Sequence, residues 1–253
     1  MTHWIAKSKA RLGGVLIALT FSGAAVSASG GAVDQAQTDM GNVAAIQRGA
    51  KLFVNYCQGC HSAQYMRYSR LSEDLDMTAE QVEQNLIFND AKIGEVMLTS
   101  MDNADQQAWL GAKAPDLSLI SRSRGVDWLY TYMRQFYIDP SRPLGWNNKL
   151  FANVSMPNVL WELQGVQKPI YETHTDENGN EIQVLTGLEP VSEGALSPAE
   201  FDQTVLDLVT YLEYLGEPAK LHRESLGVWV LLYLSLFTFL AYLLKVEFWR
   251  DVK

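Results

Sequence analysis

Two cysteines and a histidine stand close together early in the chain, at Cys57, Cys60 and His61. Their spacing is C-x-x-C-H, the pattern that attaches a c-type haem covalently. In such a site each thiol adds to a vinyl group of the porphyrin, and the imidazole lies where it can bind the iron from one face. The pattern therefore predicts one covalently bound haem c.

Two other chemistries use similar residues. A thioredoxin-like C-x-x-C redox pair does not require a histidine after the second cysteine. A zinc site needs three or four ligands, and the chain holds only these two cysteines and four histidines, with the other three far away in sequence. Haem attachment is the better interpretation, and it leaves no cysteine for a disulfide.

The second axial ligand of the iron stays open at this point. Met156 lies in a predicted loop directly before a proline, which fixes the backbone and disfavours a helix. Met97 and Met101 lie four apart on a predicted helix, and Met133 lies at helical spacing among apolar residues, which favours packing. A loop can project the Met156 thioether onto the haem; His174 or an open position are the alternatives.

Apolar periodicity and turn residues predict the elements that position these groups. They are a helix at 42–56, helical segments within 72–101, a helix at 121–136, a loop at 138–170, a hairpin at 170–189 turning at Asn178-Gly179, and a capped helix from Ser197 to Gly216. Together they predict a mainly α, cytochrome-c-like haem domain with long loops and a small β-hairpin, plus one C-terminal transmembrane helix.

The two ends of the chain predict its location. Residues 1–28 have the basic start, short apolar run and small residues of a secretory signal peptide. A retained N-terminal anchor would need about twenty apolar residues, twice the length of this run. Covalent haem attachment outside the cytoplasm fits an exported, bacterial, periplasm-facing protein.

A second apolar segment, residues 226–244, carries no charge over 19 residues. As a helix it spans roughly 28 Å, close to the hydrocarbon core of a bilayer, and a buried core helix is rarely so uniformly apolar. We therefore expect a haem domain at 29–220 on the periplasmic side of the bacterial inner membrane, a single-pass anchor at 221–245 in contact with lipid, and a cytoplasmic tail at 246–253.

The net charge of the chain is −9, and removal of the signal peptide takes away three basic residues and no acidic one, which leaves −12. An acidic body repels phosphates, so a nucleic-acid partner is not expected. A redox partner with a basic docking face is the functional interpretation of this charge.

Several stretches resemble cytochrome c1, the haem subunit of the quinol:cytochrome c oxidoreductase (cytochrome bc1 complex), of the bacterial type. They are RGAKLF at 48–53, CQGCHS at 57–62, YSRL at 68–71, APDLS at 114–118, RSRG at 122–125, LGEP at 215–218, AYLLK at 241–245 and WRDVK at 249–253. Because the stretches are independent and cover nearly the whole mature chain, the resemblance is specific.

The resemblance implies roles for the residues that match the family. These roles are haem attachment by Cys57 and Cys60, axial ligation by His61 and Met156, a place for Arg124 near a haem propionate, and packing of Pro115 on the histidine side. The resemblance also implies one-electron transfer from a Rieske iron–sulfur subunit to a cytochrome c acceptor, beside a cytochrome b subunit that oxidises quinol. The segment between the haem motif and Pro115 is shorter than in mitochondrial relatives, and the disulfide of some bacterial members is absent.

Two other functions stay open as alternatives. One is the cytochrome subunit of another dehydrogenase or terminal oxidase, and the other is a haem enzyme that binds a ligand at an open iron. The single C-x-x-C-H motif argues against di-haem peroxidases and di-haem oxidase subunits.

Overall fold

The computed structural model describes residues 33–175 and 179–251, so the predicted signal peptide at 1–28 and Asn178 of the predicted turn lie outside the described residues. Its helices are α1 (Val43–Leu52), α2 (Tyr68–Asp74), α3 (Ala79–Leu86), α4 (Asn103–Leu110), α5 (Ile120–Arg124), α6 (Val126–Arg134), α7 (Trp161–Gln164), α8 (Pro198–Gly216) and α9 (Lys220–Phe248). Its strands form three antiparallel pairs, β1 (Ala63–Arg67) with β2 (Val96–Met97), β3 (Phe136–Ile138) with β4 (Trp146–Asn148), and β5 (Gly165–Thr175) with β6 (Glu181–Glu193).

The crossing of α1 and α8 organises the core. The helices approach so closely at Gly49 that a Cβ there would lie 2.2 Å from the carbonyl oxygen of Asp207. Beside this contact the Arg48 guanidinium donates to the buried Asp207 carboxylate at 2.6 Å. The rings of Phe53 and Tyr211, both fully buried, lie 5.5 Å apart next to the crossing. Only a residue without a side chain allows this approach.

The haem motif follows directly from α1 through a wider turn. The α-helix ends at Leu52, and Phe53–Cys57 continue as a π-helical turn in which the Gln58 N–H donates to the Phe53 carbonyl at 2.9 Å. Such turns are rare and occur often at functional sites. The helix predicted over 42–56 is therefore present, but its last turn is wider than expected, and it brings Cys57 into the core.

The helical prediction for 72–101 is only partly correct. Helix α3 lies within this range and α2 ends in it, but residues 87–101 are extended or form turns and include β2. The reason is long-range pairing, because β2 bonds to β1 and the N–H of Ser69 donates to the Ile93 carbonyl at 2.7 Å. Met97 and Met101 therefore do not share a helix. Met97 is fully buried and accepts a hydrogen bond from the Tyr211 hydroxyl at 3.3 Å.

Two further segments differ from the sequence prediction. The helix predicted at 121–136 is split into α5 and α6 at Gly125, whose φ of +88° is readily available to glycine. The region 138–170, predicted as loop, also contains β4, α7 and the start of β5. The predicted hairpin is longer than expected, because β5 and β6 pair from Gly165 to Glu193.

Helix α9 is the one helix in the described part of the chain that is long and apolar enough to cross a membrane. Its span Leu226–Phe248 covers 23 residues with a mean hydropathy of 2.1, and none of it is buried against the rest of the protein. Near its start, Lys220 pairs with Glu213 of α8 at 2.7 Å. The mainly α fold with small hairpins and one C-terminal apolar helix is thus confirmed.

Candidate haem-binding site

A cavity of about 380 Å³ brings together all six predicted site residues. These residues are Cys57, Cys60, His61, Pro115, Arg124 and Met156. Most of the remaining lining is apolar and includes Leu110, Leu117, Ile120, Trp128, Leu129, Tyr132, Met133, Phe151, Val154, Val159, Leu208 and Leu212. A cavity of this size and character is typical of a site for a mostly apolar group with a few placed polar contacts.

The two cysteines enter the cavity from a tight turn. The N–H groups of Cys60 and His61 both donate to the Cys57 carbonyl, at 3.1 and 2.8 Å. No disulfide joins Cys57 to Cys60, and burial raises the pKa of the Cys57 thiol, before any attachment, to about 12. The turn therefore places two sulfurs and an imidazole in the lining of one cavity.

The His61 ring is held by a backbone carbonyl. Its Nδ1 lies 2.7 Å from the Pro115 oxygen, and because a carbonyl can only accept, Nδ1 carries the proton and donates. Burial lowers the pKa of His61, against the opposing effects of the Pro115 bond and Asp116. The imidazole is therefore neutral with its lone pair on Nε2, which is the form that ligates a metal.

Gln106 of α4 connects the residues around this turn by hydrogen bonds. The sequence did not predict this role. Its Nε2 donates to the carbonyls of Cys60 and Met101 at 3.1 and 3.2 Å, and its Oε1 accepts from the Ala114 N–H at 2.8 Å. The side chain is fully buried. A glutamine in a short polar helix carries no sequence pattern that would mark this role.

Two buried asparagines organise the segment that carries Met156. The Asn148 Oδ1 accepts from the N–H groups of Leu150 and Phe151 at 2.9 and 3.1 Å, and its Nδ2 donates to a helix carbonyl at 2.8 Å. The Asn147 Oδ1 accepts from the N–H of Asn153 at 2.8 Å. These side chains replace the backbone pairing that the loop lacks, since buried N–H and C=O groups need partners.

The helix carbonyl bonded by Asn148 belongs to Tyr132, whose side chain also reaches Met156. The Tyr132 hydroxyl donates to the Met156 Sδ at 3.5 Å. The Tyr132 ring stacks on Trp128, with centroids 4.8 Å apart and planes 11° apart, and meets the edge of Phe136. Burial raises the pKa of Tyr132, so the phenol keeps its proton and stays a donor.

Arg124 contributes a cation to the cavity lining. Its guanidinium carbon lies 5.1 Å from the ring centre of Trp128 and 5.8 Å from that of Phe151. Within residues 33–175 and 179–251 no carboxylate pairs with Arg124. An arginine held by aromatic faces and without an acidic partner can bind an anionic group.

His174, the alternative ligand, lies outside the cavity. It is on β5, with its Nε2 3.6 Å from the Glu172 carboxylate, and its side chain is more than half exposed. The structure therefore does not bring His174 together with His61.

The cavity residues fit a covalently bound haem. Two thiols, a neutral imidazole and a thioether line an apolar cavity, together with the Arg124 guanidinium, which has no acidic partner among the described residues. These are the groups that attach, ligate and neutralise a c-type haem.

Comparison with known proteins identifies the family. The sequence profile of the Cytochrome C1 family matches residues 35–252. The chain is 47% identical over 230 residues to cytochrome c1 of Allochromatium vinosum, which covers 90% of this chain and 93% of that protein. It is 43% identical over 220 residues to a protein named ammonia monooxygenase gamma subunit in Nitrosomonas europaea, with 87% and 88% covered. It is 26% identical to cytochrome c1 of Rhodospirillum rubrum, with 82% of each chain covered. The chain belongs to the cytochrome c1 family.

Proposed function

We propose that this protein receives single electrons from a Rieske iron–sulfur subunit and passes them to a cytochrome c. As a member of its family it is a membrane-anchored c-type cytochrome of the cytochrome bc1 complex, with one covalently bound haem c. The observation that carries the proposal is the single cavity lined by the C-x-x-C-H motif and Met156.

Each residue of the cavity has a proposed role. The Cys57 and Cys60 sulfurs would attach the haem through thioether links, and the His61 Nε2 and the Met156 Sδ would be its axial ligands. The Pro115 carbonyl fixes the imidazole ring. When bound, haem c supplies a one-electron Fe(III)/Fe(II) couple. A thioether ligand favours Fe(II) and raises the potential, which suits an acceptor late in an electron-transfer chain.

Arg124 and the apolar lining have supporting roles. We assign the Arg124 guanidinium to a haem propionate, because a fixed cation that no described carboxylate pairs with suits an anionic group. The apolar side chains exclude water and so keep the electrostatic effects of the ligands strong. Ligation of the iron by both His61 and Met156 would leave no position for a substrate, and the protein would then transfer electrons without binding a ligand at the iron.

The membrane arrangement is part of the proposal. The haem domain, residues 29–220, lies on the periplasmic side of the bacterial inner membrane, residues 221–245 of α9 cross the bilayer, and the tail at 246–253 is cytoplasmic. The exposed apolar surface of α9 supports contact with lipid and with the cytochrome b subunit. A chain stopped after Arg223 should be exported, attach haem and be soluble with an unchanged ferrous spectrum, whereas loss of that spectrum would make α9 part of the haem fold.

The acidic character of the chain supports a basic cytochrome c as the acceptor. Attraction between exposed charges is screened over about 8 Å at physiological salt, so the association rate should fall as the salt concentration rises. Stopped-flow oxidation of the reduced complex at increasing salt measures this dependence. A flat dependence would mean that the acceptor docks without charge attraction.

Substitution of the proposed ligand tests the site. In Met156→Leu the potential should fall by on the order of a few tenths of a volt, since axial ligands set haem potentials over about 0.8 V. The reduced variant should also bind carbon monoxide. Met97→Leu is the matched control, because Met97 is buried outside the cavity. Carbon monoxide binding by the unchanged protein would contradict methionine ligation and favour a ligand-binding haem protein.

Purification tests the partners. After mild detergent extraction the tagged chain should bring with it b-type haem and an iron–sulfur protein, and the assembly should reduce cytochrome c at the expense of quinol. Purification with the subunits of another dehydrogenase or oxidase instead would favour that alternative function.

A further inference from the structure

We infer that Tyr132 is a positioning residue for the haem ligand Met156 and that its hydroxyl raises the potential of the haem. The inference rests on the proposed function, because it takes Met156 as the axial ligand. Its geometric basis is the hydrogen bond from the Tyr132 hydroxyl to the Met156 Sδ, at 3.5 Å. In the described part of the chain this hydroxyl has no other acceptor.

The Tyr132 ring is fixed on several sides. It is 8% exposed, stacks on Trp128 one helical turn earlier, and packs against the edge of Phe136 at the start of β3. Its hydroxyl therefore has little freedom to turn away from the sulfur, since rotation of the ring would break both aromatic contacts.

The backbone of Tyr132 is joined to the same segment that carries Met156. Its carbonyl accepts from the Asn148 Nδ2 at 2.8 Å, and the Asn148 Oδ1 accepts from the N–H of Leu150 and of Phe151. One residue of α6 thus contacts the methionine segment twice, once through the backbone and once through the side chain.

The effect on the potential follows from the thioether. A thioether sulfur has two lone pairs, so it can bind the iron through one and accept the Tyr132 O–H through the other. The hydrogen bond draws electron density from the sulfur, and the positive end of the O–H dipole disfavours the extra positive charge of the ferric state. Both effects favour Fe(II), and the apolar surroundings leave them poorly screened.

Tyr132→Phe tests the inference in the full-length, haem-loaded protein, because it removes the hydroxyl and keeps the ring. We expect the ferric sulfur-to-iron charge-transfer band to persist and the reduction equilibrium to shift about threefold toward Fe(III). That shift lowers the midpoint potential by roughly 30 mV, since tenfold is 59 mV for one electron. Tyr130→Phe is the matched control, because its ring lies under the Arg134 guanidinium at 4.5 Å and not in the cavity lining.

The outcomes separate this inference from the proposed function. Equal potentials for Tyr132→Phe, Tyr130→Phe and the unchanged protein would overturn the inference while the charge-transfer band still supports methionine ligation. Absence of that band from the unchanged protein would overturn the ligation itself. Loss of the band in Tyr132→Phe alone would support the hydroxyl as the group that holds the sulfur.

A second measurement needs no variant and so covers the case in which Tyr132→Phe fails to fold. In the reduced, unchanged protein the Tyr132 hydroxyl proton should exchange slowly with solvent and show an NMR contact to the Met156 methyl group. A rapidly exchanging hydroxyl proton without this contact would overturn the inference.

Discussion

The two proposed axial ligands are held by different means. His61 belongs to a five-residue motif, and its ring bonds directly to the Pro115 carbonyl at 2.7 Å. Met156 lies in residues 149–157, which form no helix or strand, and the buried side chains of Asn147 and Asn148 at the end of β4 supply the order that regular backbone pairing gives elsewhere. We call residues 57–61 the histidine segment and residues 147–157 the methionine segment.

The difference lies in the proposed covalent link to the cofactor, which only one of the two segments has. The histidine segment is joined to the cofactor at Cys57 and Cys60 in the proposed site, so its ligand stays close even when a neighbouring contact is lost. The methionine segment has no such link and depends on hydrogen bonds to α6, such as that from Asn148 to the Tyr132 carbonyl. We therefore expect methionine ligation to fail before histidine ligation when the fold is weakened.

The largest effect should come from a change at the crossing of α1 and α8, in the core on which both segments depend. Gly49→Ala would place a Cβ 2.2 Å from the Asp207 oxygen and 2.6 Å from the Tyr211 Cβ, so α1 and α8 must move apart. We expect a loss of about 3 kcal/mol or more in the free energy of unfolding, because overpacking of a tight core costs this order. Denaturant unfolding of the haem-loaded protein measures it.

Gly94→Ala is the control for this change, because a Cβ at Gly94 meets no atom within 4 Å. Equal stability of Gly49→Ala and Gly94→Ala would show that the crossing of α1 and α8 can relax and does not support both segments.

Asn148→Leu should weaken the methionine segment selectively. The change keeps the volume but leaves three backbone groups without their partner, the buried carbonyl of Tyr132 and the part-buried N–H groups of Leu150 and Phe151. A loss of about 3 kcal/mol in the free energy of unfolding is expected, since each unpaired buried group costs about 1–3 kcal/mol. The charge-transfer band of the thioether should weaken, and the reduced protein should bind carbon monoxide. An undiminished band would mean that the loop holds Met156 without Asn148.

Gln106→Met makes the corresponding change next to the histidine segment. It also removes three bonds from a buried amide to the backbone, those with Cys60, Met101 and Ala114. We expect a loss of unfolding free energy similar to that of Asn148→Leu, about 3 kcal/mol, but an unchanged charge-transfer band. If Gln106→Met admitted carbon monoxide as readily as Asn148→Leu, the proposed difference between the two segments would be wrong.

How much of the site could be predicted from the sequence depends on whether an interaction is local or long-range. The C-x-x-C-H motif is local, so its chemistry follows from adjacent residues, and Cys57, Cys60 and His61 line one cavity. Pro115, Arg124 and Met156 line it too, but the family resemblance, and not a local pattern, assigned their roles. Likewise the capping box at Ser197 and Glu200 is local, and α8 begins and ends as expected. Interactions within a few residues of the chain leave a pattern that can be recognised.

Contacts between residues far apart in the chain leave no recognisable pattern in the sequence. Gln106 contacts Cys60 from 46 residues away, and Asn148 contacts Tyr132 from 16 residues away. The segment at 87–101 was predicted as helical because its composition allows a helix, yet the pairing of β2 with β1 determines its conformation. Propensity yields to tertiary contacts when the two conflict.

The smallest expected effect concerns an acid that supports the methionine segment from outside. The Asp139 carboxylate accepts from the Ser141 hydroxyl at 2.6 Å and from the Asn147 Nδ2 at 2.8 Å, and so helps to orient the asparagine that binds the Asn153 N–H. Chiefly the Ser141 hydroxyl, and next Asn147, lower the pKa of Asp139. A pKa that is lower in the folded state stabilises the fold above the unfolded value of about 3.9. This contribution is lost as the pH falls through the folded value.

Asp139→Asn should therefore cost less than about 1 kcal/mol at neutral pH, because the group is near the surface and partly screened. The difference in unfolding free energy between the unchanged protein and the variant should stay constant above pH 5 and shrink as the pH is lowered below about 4, where the unfolded chain begins to bind the proton. Denaturant titrations at a series of pH values measure this, with exposed Asp90→Asn as the control. A difference that stays constant down to full protonation would show that the negative charge of Asp139 does not stabilise the methionine segment.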